Sequence, residues 1–168
     1  MTKMAADIAR PRGFLLDGRW ATEGEPFDVL APHDGSVVGS TFRATREHLE
    51  AAIAAAVRAF EITRKLPSYE RQRVLRAVAE GIAAHQEEIA RTLALEAGKP
   101  IKTARIEVGR AALTFNIAAE ESTRICGEWL PLDLQAATAG RWGIVRRFPI
   151  GPIGSITPFN FPLNLVAH

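Results

Sequence analysis

The stretch Pro158-Phe159-Asn160-Phe161-Pro162 combines residue types and spacing that could do chemistry. An asparagine side chain offers a neutral N–H donor. Held rigidly, such a donor stabilises negative charge developing on a substrate oxygen and need not titrate to do so. The flanking prolines restrict the backbone to extended or turn conformations, so Asn160 is presented rather than absorbed into a regular element. Upstream, Ile153-Gly154-Ser155-Ile156-Thr157-Pro158 reads as a short buried strand. Downstream, Phe161-Pro162 can open a helix continued by Leu163, Leu165 and Val166. A strand that turns into a helix is where α/β folds place ligands, at the strand's carboxyl end. The same spacing also describes a plain turn in which Asn160 only bends or caps the chain. The stretch has no G-x-G-x-x-G run, so the usual dinucleotide fingerprint is missing.

Other reactive residue types lead to blander expectations. Cys126 is the sole cysteine, which excludes an intrachain disulfide and a paired-cysteine metal site and fits a reducing, cytoplasmic setting. It falls at the end of an expected helix without a neighbouring His, and is read as a packing residue. Glu120 and Glu121 are read as solvated helix residues. His33, His48, His85 and His168 have no metal-ligand spacing, so no metal is expected. The basic run Arg64, Lys65, Arg71, Arg73 and Arg76 is interleaved with Glu61 and Glu70, as on a solvated helix face rather than a nucleic-acid surface.

The elements that must position Asn160 fall into three blocks. Residues 14–42 alternate short apolar runs with Asp17-Gly18 and Asp34-Gly35, predicting an antiparallel β-meander. Residues 45–126 carry helical periodicity. Thr45 caps a helix with Leu49, Ile53, Val57 and Phe60 on one face. Pro67-Ser68 opens a second, with a stripe of Val74, Val78, Ile82, Ile89 and Leu93. Gly98 and Pro100 mark a stop and restart. A third helix carries Val108, Ala112, Phe115, Ala119, Ser122 and Ile125 up to Gly127. Alternation over 129–134 and 142–148 predicts an exposed β-hairpin or arm. Across the whole sequence, 47% hydrophobic and 24% charged residues with a net charge of +2 describe an ordinary globular chain. No apolar run approaches the roughly 18 residues needed to cross a membrane, and residues 1–12 hold no apolar leader core. The sequence stops inside its last expected helix, an ending that reads as truncation.

Three stretches, in order, carry a resemblance. Pro149-x-Gly151-Pro152-Ile153-Gly154-x-Ile156-x-Pro158-Phe159-Asn160-Phe161-Pro162-Leu163 resembles the strand and turn that open the NAD(P)-binding domain of the aldehyde dehydrogenase superfamily. Glu96-Ala97-Gly98-Lys99-Pro100, followed by Ala104 and Glu107, is similar to the family's helix junction. Phe14 with Asp17-Gly18 and Trp20 is similar to its N-terminal hairpin. The similarity covers the N-terminal portion of the family only.

The resemblance implies an α/β fold with three parts. Residues 1–127 would be a β-meander and helices of the cofactor-binding domain, 128–148 a β-arm for oligomerisation, and 149–168 the first strand and helix start of a Rossmann-like parallel sheet. It further implies oxidation of an aldehyde to an acid with NAD or NADP, through a cysteine-bound thiohemiacetal and thioester. Asn160 matches the oxyanion-stabilising Asn. Ile156, Thr157, Pro158 and Phe159 match the strand end that lines the cofactor, and Phe161 and Asn164 match the border of the substrate tunnel. The family's nucleophilic Cys and general-base Glu match nothing in these residues, so the chain alone is expected to be inactive. A homodimer or homotetramer is implied for the whole enzyme, with neither nucleic acid nor membrane as partner. The rival reading is a non-catalytic dimerising or split-gene module. Arg105 and Arg110 could favour an anionic aldehyde or be merely solvated, and a small hydroxyaldehyde such as lactaldehyde remains open.

Overall fold

The computed structural model describes residues 11–168, so most of the leader reading for residues 1–12 lies outside the described residues. The architecture is mixed α/β. Strands β1 (Phe14–Leu16) and β2 (Arg19–Ala21) form one hairpin, and β3 (Pro26–Leu30) and β4 (Val37–Phe42) form another. The first is closed by Asp17 at φ 49° and Gly18 at φ 75°. Two consecutive left-handed residues make the turn whose twist matches paired strands. The expected meander is therefore two separate two-stranded sheets. They are tied by Arg12, whose N–H donates to the Ser40 carbonyl at 2.8 Å.

Helix α1 (Arg46–Thr63) starts at Thr45, where the His48 N–H donates to Thr45 Oγ1 and the Thr45 N–H to His48 Nδ1. Its expected apolar stripe is not covered: Leu49, Ile53 and Val57 are each at least half exposed. The single second helix read from periodicity is two, α2 (Ser68–Ala84) and α3 (Gln86–Ala97), broken at His85. The break sets both segments against α4 (Ile101–Glu121), burying Ala79 of α2 and Ala90 and Leu93 of α3. Small residues on α4 (Ala104, Ala111 and Ala119) permit that close approach. Gly98 ends α3 at φ 63°, as its sequence position requires.

Helix α4 stops earlier than periodicity suggested, because Ser122 Oγ donates to the Ala119 carbonyl at 2.8 Å and the chain leaves the helix. Ile125 and Cys126 consequently lie beyond it and are exposed, which overturns the packing role for Cys126. Strands β5 (Glu128–Pro131) and β6 (Trp142–Val145) form the expected hairpin, with Trp129, Trp142 and Ile144 facing solvent. At its base a Cβ on Gly127 would lie 1.7 Å from the Val145 carbonyl oxygen. Gly127→Ala should therefore open the β5–β6 pairing at a cost of about 1–3 kcal/mol. Thermal denaturation together with amide exchange over 128–145 measures it.

Residues 153–158 do not form the expected buried strand. Ile150, Ile153 and Ile156 are exposed, and, among the described residues, 147–157 make no backbone–backbone hydrogen bond. A strand is defined by its partners, and among the described residues this segment has none. The chain then turns at 159–163 into α5 (Asn164–Ala167). The compact centre is a cluster of Ala90, Leu93, Ala104 and Val108, against which Ile82, Ile89 and Leu163 pack.

Candidate active site

The turn carrying Asn160 is held from its downstream side. Glu107, on the buried stripe of α4 with Ala104, Val108 and Ala111, is 1% exposed. One of its carboxylate oxygens accepts the backbone N–H of Leu163 at 3.0 Å and that of Asn164 at 3.2 Å. The other accepts the ammonium of Lys99, from the junction between α3 and α4. Lys99 Nζ also lies 4.1 Å from the centroid of the Phe161 ring, a cation–π contact. The helix junction and the Pro-flanked turn, far apart in sequence, thus meet at one buried charge pair.

Burial pushes the Glu107 carboxyl up. The Lys99 ammonium and then the two backbone N–H groups outweigh it and hold the carboxyl below its ordinary value of 4.5. Glu107 is therefore an ionised carboxylate at neutral pH, fully engaged and unavailable as a free base.

The residues singled out from sequence share one continuous segment but meet different surroundings. Ile156, Thr157, Pro158, Phe159 and Asn160 are exposed, Phe161 is half-buried beneath Lys99, and Asn164 is 2% exposed. Among the described residues the Asn164 Oδ1 atom is buried without a hydrogen-bond partner, an arrangement that costs about 1–3 kcal/mol. Ile153, Ile156 and Phe159 present a nearly bare apolar surface, which suits one wall against a planar ring. The segment has no glycine-rich turn that could cradle a diphosphate.

Lys99 and Glu107 escaped sequence reasoning as functional residues. A signal was present. Glu107 is a lone carboxylate three residues after Ala104 and four before Ala111, on a face that is otherwise apolar.

Arg105 does not face the turn as a free cation. Its Nε and Nη2 each donate to Glu87 at 2.9 Å, and Arg91 adds a third bond at 3.1 Å. Hydrogen bonds from Arg105 and then Arg91 pull the Glu87 carboxyl down to about 2. Its stabilising contribution is present above its ordinary value of 4.5 and fades as pH falls toward 2. An NMR titration should place the Glu87 midpoint near about 2, rising toward 4.5 in Arg105→Gln. An ordinary midpoint in the wild type would contradict the pairing. Glu120 is exposed and pairs with Arg76 at 2.5 Å, as expected of a surface residue. Among the described residues no three His, Cys, Asp or Glu side chains are grouped to hold a metal, and no helix is long and apolar enough to cross a membrane.

Comparison with known proteins gives this geometry its context. Residues 20–168 match the model of the aldehyde dehydrogenase family. A lactaldehyde dehydrogenase of Methanocaldococcus jannaschii is 40% identical over 154 residues, covering 92% of this chain and 32% of that enzyme. The structure of aldehyde dehydrogenase 21 from Physcomitrella patens, in complex with its reaction product succinate, superposes with a TM-score of 0.88 at 44% identity, over 94% of this chain and 33% of that one. The NADP complex of an NADP-dependent glyceraldehyde-3-phosphate dehydrogenase from Bacillus halodurans superposes with a TM-score of 0.88 at 32% identity, over 94% of this chain and 34% of that one. The chain thus spans about a third of the length of the relatives it matches.

Proposed function

Because this chain belongs to the aldehyde dehydrogenase family, we propose that the polypeptide containing it oxidises an aldehyde to a carboxylic acid, with NAD or NADP accepting the hydride. The observation that carries this reading is the Pro158–Pro162 turn, which leaves Asn160 exposed while its downstream end is tied to α4 through Glu107. Asn160 donates its side-chain N–H to the oxygen of the aldehyde as that oxygen gains negative charge. Ile156, Thr157, Pro158 and Phe159 form the apolar wall beside the nicotinamide and exclude water from it. When bound, the nicotinamide supplies the hydride acceptor. Phe161 and Asn164 border the aldehyde's path, and the unpartnered Oδ1 of Asn164 supports a polar contact there.

The covalent step needs a thiolate and a base. Cys126 and Glu120, exposed and outside the turn, do not provide them, so these 168 residues by themselves are expected to be inactive.

In the proposed whole enzyme, 1–127 belongs to the cofactor-binding domain, 128–148 is an oligomerisation arm, and 149–168 supplies the first strand and the start of the following helix of a Rossmann-like parallel sheet, the strand forming where partner strands pair with it. The extent of bare surface supports contact of this chain with further protein. The accessible area is 12904 Å² for 18.3 kDa, against roughly 8,000 Å² for a compact monomer of that mass. The exposed Trp129, Trp142 and Ile144 of the hairpin favour assembly through the arm into a homodimer or homotetramer. The lone cysteine favours a cytoplasmic setting.

The relatives act on neutral and anionic aldehydes alike, and the bidentate hold of Glu87 on Arg105 weakens the case for an anion site at that arginine. The test is a panel of lactaldehyde, succinate semialdehyde and glyceraldehyde 3-phosphate with NAD and with NADP. Aldehyde-dependent formation of reduced nicotinamide is expected with at least one pair. None with any pair would overturn the reading.

A further inference from the structure

Building on the reading of Asn160 as oxyanion donor, we propose that Glu107 is a positioning residue: its carboxylate clamps the backbone just beyond the turn and thereby sets where the Asn160 side chain is presented. Among the described residues, 147–157 make no backbone–backbone hydrogen bond and their apolar side chains are exposed, so in this structure the turn is held from its downstream side. On the downstream side one Glu107 oxygen holds two successive N–H groups, at Leu163 and Asn164. Asn160 is three residues before the first of them.

The clamp is itself rigid. Glu107 stands in the middle of α4 between the buried Ala104, Val108 and Ala111. Its second oxygen is held by Lys99, which in turn covers the ring of Phe161, the residue that follows Asn160. A purely structural ion pair would need only Lys99 and Glu107. Here the carboxylate also spends an oxygen on the backbone of the segment that carries the candidate donor.

Glutamine at 107 offers the two N–H groups only a neutral amide oxygen, a weaker acceptor than the carboxylate, and its amide nitrogen would set a donor against the Lys99 ammonium. The turn should then shift while the segment stays in place.

The experiment is a double-mutant comparison in the full-length enzyme, using wild type, Glu107→Gln, Asn160→Ala and the combination, with the best aldehyde and cofactor of the panel. Glu107→Gln should lower kcat on the order of 100-fold, the penalty of misplacing a catalytic group by about 1 Å, with the KM for cofactor changed less than about twofold. Added to Asn160→Ala, it should lower kcat little further, because the donor it positions is already gone. An equal loss in both backgrounds, or an unchanged kcat in the single variant, would overturn the proposal. Should Glu107→Gln not fold, Glu107→Asp keeps the charge and withdraws the carboxylate by one methylene, and the same comparison is made with it.

Amide exchange separates this proposal from the activity it rests on. Exchange at Leu163 and Asn164 should be faster in Glu107→Gln than in wild type. If the wild-type enzyme turns over no aldehyde, the activity reading has failed, and the clamp is decided by exchange alone: faster exchange upholds it, and unchanged exchange overturns it.

Discussion

Asn160→Ala in the full-length enzyme should lower kcat by about 100- to 1000-fold, close to 3 kcal/mol of barrier, and leave the cofactor's KM nearly unchanged. The magnitude follows from what a preorganised donor does. It meets charge that exists only in the transition state, so its removal costs little in ground-state binding. Asn160 is well placed for such a clean deletion. Its side chain is exposed, so truncation creates no cavity and should leave folding intact. Steady-state kinetics with a melting curve on the same sample checks both halves. A loss confined to KM would mean that Asn160 binds the substrate without stabilising its oxyanion.

Lys99→Met should destabilise the protein by about 3–5 kcal/mol, because it leaves the Glu107 carboxylate buried without its counter-ion. Lys99 is only 13% exposed at its side chain, so water cannot readily replace the ammonium. The loss of its contact with Phe161 adds to the effect. The sign with pH is definite. In the wild type, Glu107 titrates below its ordinary 4.5, so the stability it contributes is present above pH 4.5 and is lost as pH falls through the lower folded value. Without Lys99 the upward push of burial is opposed by two backbone N–H groups only, and protonation relieves the buried charge. The difference between wild type and variant should therefore be largest near neutral pH and shrink on acidification. Denaturant midpoints at several pH values measure it. A difference that grows in acid would contradict the charge-pair account.

Local chemistry made much of this chain legible. Asp17-Gly18 gave the first hairpin turn and Thr45 the start of α1. Gly98 marked the end of α3, because each of these positions is decided by a few neighbouring residues. Tertiary contacts decided the rest. The stripe from Val74 to Leu93 is continuous in sequence, yet the chain breaks at His85 so that both pieces reach α4. Periodicity extended α4 to Gly127, whereas the Ser122 hydroxyl competes for the last turn and Cys126 ends in solvent.

For the candidate site, the prolines around Asn160 pointed to a turn, and the chain does turn at 159–163. The expected burial of 153–158 did not follow, since a lone segment has no ladder to join. The hold on that turn was hidden for a different reason. Lys99 and Glu107 are unremarkable charged residues in sequence and acquire meaning only when α4 brings them against Leu163 and Asn164.

Residues 156–160 are proposed to border the reacting end of the cofactor, and amide exchange in the full-length enzyme with and without NAD or NADP tests this most directly. Binding should slow exchange at Ile156, Thr157, Phe159 and Asn160, whose side chains are exposed in this structure. Saturating cofactor that protects other segments and leaves these four amides unchanged would contradict it.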